Sequence, residues 1–256
     1  MHRTPNTGLR VTQVTIAGVI ALSLPAGAVA AFGFDTNRGT TADTIGTIFF
    51  LAIVALLSTP WWPLASQRHR TPFDRLQSMC FLWFAVTFTT HLTWELVWLL
   101  LHHRIAMSAN SPWAYPWWMY IDGGDARYLH PSSTLLVQEF LSVINGIVGF
   151  SGLAVWWRSK GRSATATLLL MSTVVVHIYS TSIYFGTEMI RGYPNVDTSS
   201  FVDFWIKFWL LNGLWLVMPF AVFAWGRVTL ARQLATVQPS PEPEIATVPE
   251  LAEATV

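Results

Sequence analysis

Six apolar stretches, at about residues 13–33, 46–64, 78–101, 132–157, 165–187 and 204–226, leave this chain little choice of fold. A helix needs about 20 apolar residues to cross the hydrocarbon core of a bilayer. It is also the element that satisfies its own backbone where no water can. The expected fold class is therefore all-α, a polytopic membrane helix bundle. The content of charged residues, 11%, fits that reading, since soluble domains carry about 25%. Six crossings place both termini on one side. Ten basic residues fall on that side: Arg3, Arg10, Arg68, Arg70, Arg75, Arg158, Lys160, Arg162, Arg227 and Arg232. Only Arg38, Arg104, Arg127 and Arg191 fall on the other, so both termini are expected to be cytoplasmic. Lys207, near the entrance of the last span, is expected to snorkel outward. The first stretch contains Leu24-Pro25-Ala26-Gly27-Ala28-Val29-Ala30, which has the small-residue character of a signal cleavage site. It reads as an anchored helix, and cleavage would leave five spans in the same orientation.

Three regions follow. Residues 1–45 form an N-terminal segment with its own span, 46–230 the main membrane domain, and 231–256 a tail rich in Pro and Glu that is expected to be disordered. A net charge of +1 supplies no basic stripe for phosphates, which excludes a nucleic-acid partner. The single cysteine, Cys80, excludes an internal disulfide and reads as core packing. Between about His102 and Pro131, Trp113, Tyr115, Trp117, Trp118 and Tyr120 suit either an interfacial aromatic belt or a lid over a cavity. Gly146, Gly149 and Gly152 read as a surface for close helix packing.

Polar residues inside the spans are few, and their spacing is informative. His91 and Glu95 are four apart, so they share a helix face and can exchange a proton. Glu139 and Ser142 are three apart; His177, Thr181, Tyr184 and Glu188 make a continuous stripe; Asn212 and Trp215 are again three apart. Polar faces in lipid turn inward, so four helices should converge on one cavity. Taken singly, Ser142, Thr181 and Asn212 read as interhelical glue and His177 as a satisfied core residue. Two carboxyl groups with a histidine are too costly at membrane depth to be glue alone. The zinc-protease spacing of two histidines with an adjacent glutamate is missing, so no metal is expected. Trp94 and Trp98, flanking Glu95, are expected to help line the cavity.

The chain resembles the emopamil-binding protein family, the sterol Δ8-Δ7 isomerases and their relatives in the EXPERA superfamily. The resemblance rests on Phe84-Ala85-Val86, His91-Leu92-Thr93-Trp94-Glu95, Gly124-Asp125-Ala126-Arg127-Tyr128, Glu139, Tyr184-Phe185-Gly186-Thr187-Glu188, and the block from Phe208 to Pro219. It implies a five-helix core, here with one extra N-terminal transmembrane helix. It further implies a cofactor-independent shift of a ring double bond by protonation, carbocation formation and deprotonation. The family's functional positions fall on His91, Glu95, Glu139, Asn212 and Trp215. Ser142 stands where the family has Thr. Its Tyr-Gly-Asp becomes Tyr179-Ser180-Thr181, which leaves the substrate open. The family often forms homodimers.

The residues themselves point the same way. Protonating an alkene needs a desolvated acid, and burial makes a carboxyl group hold its proton until delivery. Glu139 and the His91–Glu95 pair are the expected acid and base, in either order. Asn212 is expected to orient a carboxylate, and Trp215, helped by Trp94, to face the cation. Trp98, Ser142, His177, Thr181 and Tyr184 complete the lining expected around a lipophilic sterol or terpenoid. The same equipment would serve acid-initiated terpenoid cyclisation. It would also serve non-catalytic binding of a sterol or lipophilic amine. Arg outnumbers Lys 13 to 2, a hint of a high-GC bacterial source, where the cytoplasmic membrane is the expected location; in a eukaryote it would be the endoplasmic reticulum.

Overall fold

The computed structural model describes residues 7–235, which are helical with no strand among them. Six helices are long and apolar enough to cross a membrane: Thr7–Gly33, Arg38–Trp61, Pro72–Ala106, Ser133–Arg158, Ala164–Arg191 and Val202–Ala235. The protein is a multi-pass membrane helix bundle. Its outer surface agrees, since Val14, Leu22, Phe140, Ile147, Val217 and Phe220 are all exposed and need lipid around them.

We number the helices α1 (Thr7–Gly33), α2 (Arg38–Ser58), α3 (Pro72–Thr90), α4 (Leu96–Ala106), α5 (Tyr115–Ile121), α6 (Ser133–Arg158), α7 (Ala164–Arg191) and α8 (Asn212–Ala235). Helices α3 and α4 are one span, joined through a wide π-helical turn at His91–Glu95. A second π-helical segment, Val202–Leu211, leads into α8. Side chains of Asn37, Thr71, Ser132 and Ser163 accept backbone N–H groups at the starts of α2, α3, α6 and α7. Such caps satisfy donors that a helix start leaves unpaired. Left-handed Gly192, at φ +74°, ends α7.

The glycines of α6 let it seat deeply. A Cβ on Gly149 would lie 2.2 Å from the Phe88 ring, and one on Gly146 would lie 2.9 Å from Cβ of His91. At Gly152 the neighbour is Leu170, 3.2 Å away. Close approach at Gly146 is what brings the His91 turn against α6. Gly149→Ala should therefore cost about 1–3 kcal/mol by overpacking, read as a lower Tm in detergent. Gly186→Ala, at a position with open space around it, should leave Tm nearly unchanged.

Four expectations change at this level. Lys207 does not snorkel outward: it is buried, and its Nζ bonds Asp203 at 2.6 Å and Asp43 at 2.8 Å. Two carboxylates on the protein side offer the ammonium more than the interface would. The aromatic loop is not an interfacial belt, because Tyr115, Trp117 and Tyr120 are buried against the helices. Indole N–H groups fix it there, Trp117 to the Trp94 carbonyl at 3.0 Å and Trp118 to the Ile105 carbonyl at 2.7 Å. Only Trp113 keeps a half-exposed ring. The second span begins at Arg38, not near 46, so it includes Asp43 and its ion pair to Lys207. Finally, α8 runs on to Ala235, and the rest of the acidic tail lies outside the described residues.

Candidate active site

The π-helical turn at His91–Glu95 places one more residue in the turn than an α-helix would, with the Leu96 N–H reaching back to the His91 carbonyl. Such turns recur at functional sites because they re-aim side chains. Here His91 Nδ1 and Glu95 Oε2 meet at 2.5 Å. The other ring nitrogen, Nε2, lies 3.1 Å from Nε2 of His177 on α7. Thr87 Oγ1 stands 3.2 Å and 3.4 Å from these two nitrogens and accepts the indole N–H of Trp215 at 2.8 Å. Trp215 packs edge-on against Trp83, with ring centroids 5.1 Å apart. Thr87→Val keeps the shape but leaves the Trp215 N–H without its acceptor. A loss of about 1–3 kcal/mol, read as a lower Tm, is the expected result.

Glu139 enters from α6, six residues (about 9 Å) along from the helix start. The Tyr128 hydroxyl donates to its Oε1 at 2.6 Å, while Oε2 is buried without a partner. Burial, with the Glu139 charge added, holds the Tyr128 hydroxyl well above its ordinary pKa, so it remains a donor. Glu95 and Glu139 line the same cavity.

A third group closes the site at the loop end. Tyr184 donates to Asp125 and shares a 2.6 Å hydrogen bond with Tyr120. Asp125 is fully buried and paired with Arg127 at 2.7 Å, whose guanidinium lies 4.2 Å from the centroid of the Tyr184 ring. Asn212 donates to the Tyr120 hydroxyl at 2.9 Å and to the carbonyls of Lys207 and Phe208 at 3.0 and 2.7 Å. Those carbonyls belong to the π-helical segment. Asn212 thus holds that segment and reaches no carboxylate directly, contrary to expectation.

Nine of the residues singled out in the sequence line one cavity: His91, Glu95, Glu139, Ser142, His177, Thr181, Tyr184, Asn212 and Trp215. Trp94 and Trp98 do not. They pack behind Tyr128, with ring centroids 5.4 Å and 4.8 Å from its own, and their N–H groups bond the carbonyls of Pro116 and Tyr128. Glu188 also leaves the stripe, being buried beside Arg127 at 3.3 Å and Asn195 at 2.9 Å. Sequence reasoning missed Thr87, Tyr120, Tyr128 and Gln138. Tyr128 and Asp125 stood within a recognised block, yet nothing local said that the loop folds inward. Among the described residues no group of three or more His, Cys, Asp or Glu side chains converges as metal ligands do.

The cavity measures about 70 Å³. Pockets for drug-sized ligands start near 300 Å³, so a guest of that size would have to part the helices around the cavity.

Comparison with known proteins places this architecture. The family model described as EXPERA (EXPanded EBP superfamily) matches residues 117–225. Over those residues the chain is similar to that superfamily. Curated relatives are named 3-beta-hydroxysteroid-Delta(8),Delta(7)-isomerase. The protein from Cavia porcellus is 26% identical over 181 residues, 70% of this chain and 76% of its own. Those from Rattus norvegicus and Mus musculus are 26% and 27% identical, over 68% and 62% of this chain and 73% and 67% of theirs. The EXPERA match spans the second half of the aromatic loop, α6, α7 and much of α8, which carry Tyr128, Glu139, His177, Asn212 and Trp215. His91 and Glu95 lie before it.

Proposed function

We propose that this chain is a cofactor-independent membrane isomerase that shifts a ring double bond of a sterol-like or polycyclic terpenoid substrate. One observation carries the reading: two carboxyl groups from different helices, each tied to a different partner, face the same cavity. The names of the relatives supply the substrate class. Glu139 gives the proton. Its Oε1 already accepts from Tyr128, so a protonated Glu139 carries its hydrogen on the unpartnered Oε2, ready for a substrate carbon. The alkene π electrons form the new C–H bond and leave a carbocation on the neighbouring carbon. Trp215 presents aromatic density to that charge in a site with little room for water. Loss of a proton to the His91–Glu95 side restores a double bond at the shifted position. Glu139 is then ionised and the other side protonated, and a proton returns across the emptied cavity to reset the pair. No net proton is consumed.

The catalytic unit is the set of spans that begins with α2 and runs to about residue 230, with the span before it as an addition. Both termini are cytoplasmic. The ten-to-four split of basic residues between the two sides supports that orientation. Supplying a Δ8-sterol to purified protein in heavy water should yield the Δ7 product with one deuterium at the protonated carbon. Unchanged sterol would count against the reading. New rings formed from a linear isoprenoid would replace it with cyclisation. Tight binding of a lipophilic amine with no turnover of either class would replace it with a binding protein.

A further inference from the structure

We infer that His177 is the group that touches the substrate on the exit side, as the terminal acceptor of a three-member proton relay, Glu95–His91–His177. The inference rests on the isomerase reading above for what the relay does, but not for its existence.

Hydrogen counting leads there. Two facing Nε2 atoms 3.1 Å apart can be joined only by one hydrogen between them. If Glu95 is ionised, it takes the hydrogen on His91 Nδ1. Neutral His91 then has a bare Nε2, which must accept from His177 Nε2–H. Neutral His177 is left with a bare Nδ1. That atom is buried and has no hydrogen-bond partner, and the residue, only 2% exposed, lines the cavity. A buried acceptor left open is costly unless something arrives to use it.

The step balances. A substrate C–H bond breaks, its electron pair becomes the new C=C bond, and its proton goes to His177 Nδ1. The hydrogen on His177 Nε2 passes to His91 Nε2, and the hydrogen on His91 Nδ1 passes to Glu95 Oε2. Both imidazoles end neutral in their other tautomers, and Glu95 becomes a carboxylic acid. The relay thus gives a carboxylate's appetite for a proton to an atom two rings away. No imidazolium has to persist in apolar surroundings, where a lone charge is expensive. Thr87, held by the Trp215 N–H, sits within reach of both Nε2 atoms, so its hydroxyl hydrogen can follow whichever is bare.

Two measurements on the full-length protein in lipid nanodiscs decide it. With 15N-labelled histidine, a nitrogen–nitrogen coupling across the hydrogen bond should connect His91 to His177 and vanish in His177→Gln. Absence of the coupling in the wild-type protein overturns the relay. In the Δ8-sterol assay, His177→Gln should lower kcat by at least about 100-fold with little change in KM. His177→Ala should do the same and regain activity with added imidazole. Variants that keep kcat within about tenfold of wild type, or an Ala variant that folds and ignores imidazole, overturn His177 as the acceptor. Wild-type protein that turns over no sterol would remove the isomerase reading, and the coupling would still decide the relay.

Discussion

Glu139→Gln should lower kcat by about 10²–10⁴-fold while leaving KM nearly unchanged. The amide keeps the size of the side chain and an oxygen to accept the Tyr128 hydroxyl, so the wall of the cavity should survive. What it lacks is a hydrogen it can give to carbon. A general acid acts only in the transition state, which is why the loss belongs in kcat. Turnover of a Δ8-sterol in nanodiscs, with Tm measured beside it, checks the expectation. A variant with normal kcat and raised KM would make Glu139 a binding group and leave the proton donor to be found elsewhere. Glu95→Asp offers a contrast: the carboxylate remains but, one methylene shorter, falls back from His91, whose Nδ1 now lies 2.5 Å from Oε2. It should retain part of the activity that Glu139→Gln loses.

How much of this was legible in the sequence follows from where each constraint resides. The spans were legible because bilayer thickness acts on every residue of a run, so the apolar pattern alone marks them. His91, Glu95, Glu139, Ser142, His177, Thr181, Tyr184, Asn212 and Trp215 were legible because a polar side chain at membrane depth has to face protein. Trp94 and Trp98 escape that logic, since an apolar ring is as content behind Tyr128 as against a substrate. The π-helical turns leave no periodic mark in stretches as short as five and ten residues. The inward fold of the aromatic loop depends on indole hydrogen bonds to Trp94 and Ile105, 23 and 13 residues away in sequence, and composition cannot distinguish that cap from a belt.

Lys207 was misread for the same reason, and it yields the largest stability effect. Its partners are Asp203, one turn away, and Asp43, 164 residues away, so local pattern finds one and not the other. Lys207→Met should destabilise the protein by about 3–5 kcal/mol, because removing one member of a buried ion pair leaves the other charge uncompensated. Most of that penalty falls on Asp203, whose carboxylate is nearly buried, and less on Asp43, which is more than a third exposed and can recover some hydration. Adding Asp203→Asn to Lys207→Met should therefore restore part of the loss, and adding Asp43→Asn should restore less. Thermal unfolding in one detergent reads all of these variants. A Lys207→Met protein as stable as wild type would mean that the ammonium is solvated rather than enclosed. The cluster also bears on the site, because the backbone carbonyl of Lys207 is one of the acceptors that fix Asn212. If Lys207→Met loosens the π-helical segment, Asn212 and the Tyr120–Tyr184–Asp125 chain beyond it should lose their register. Activity should then fall at temperatures where the variant remains folded, whereas Gly149→Ala, which meets the Phe88 ring and no member of that chain, should lower Tm without this separate loss of activity.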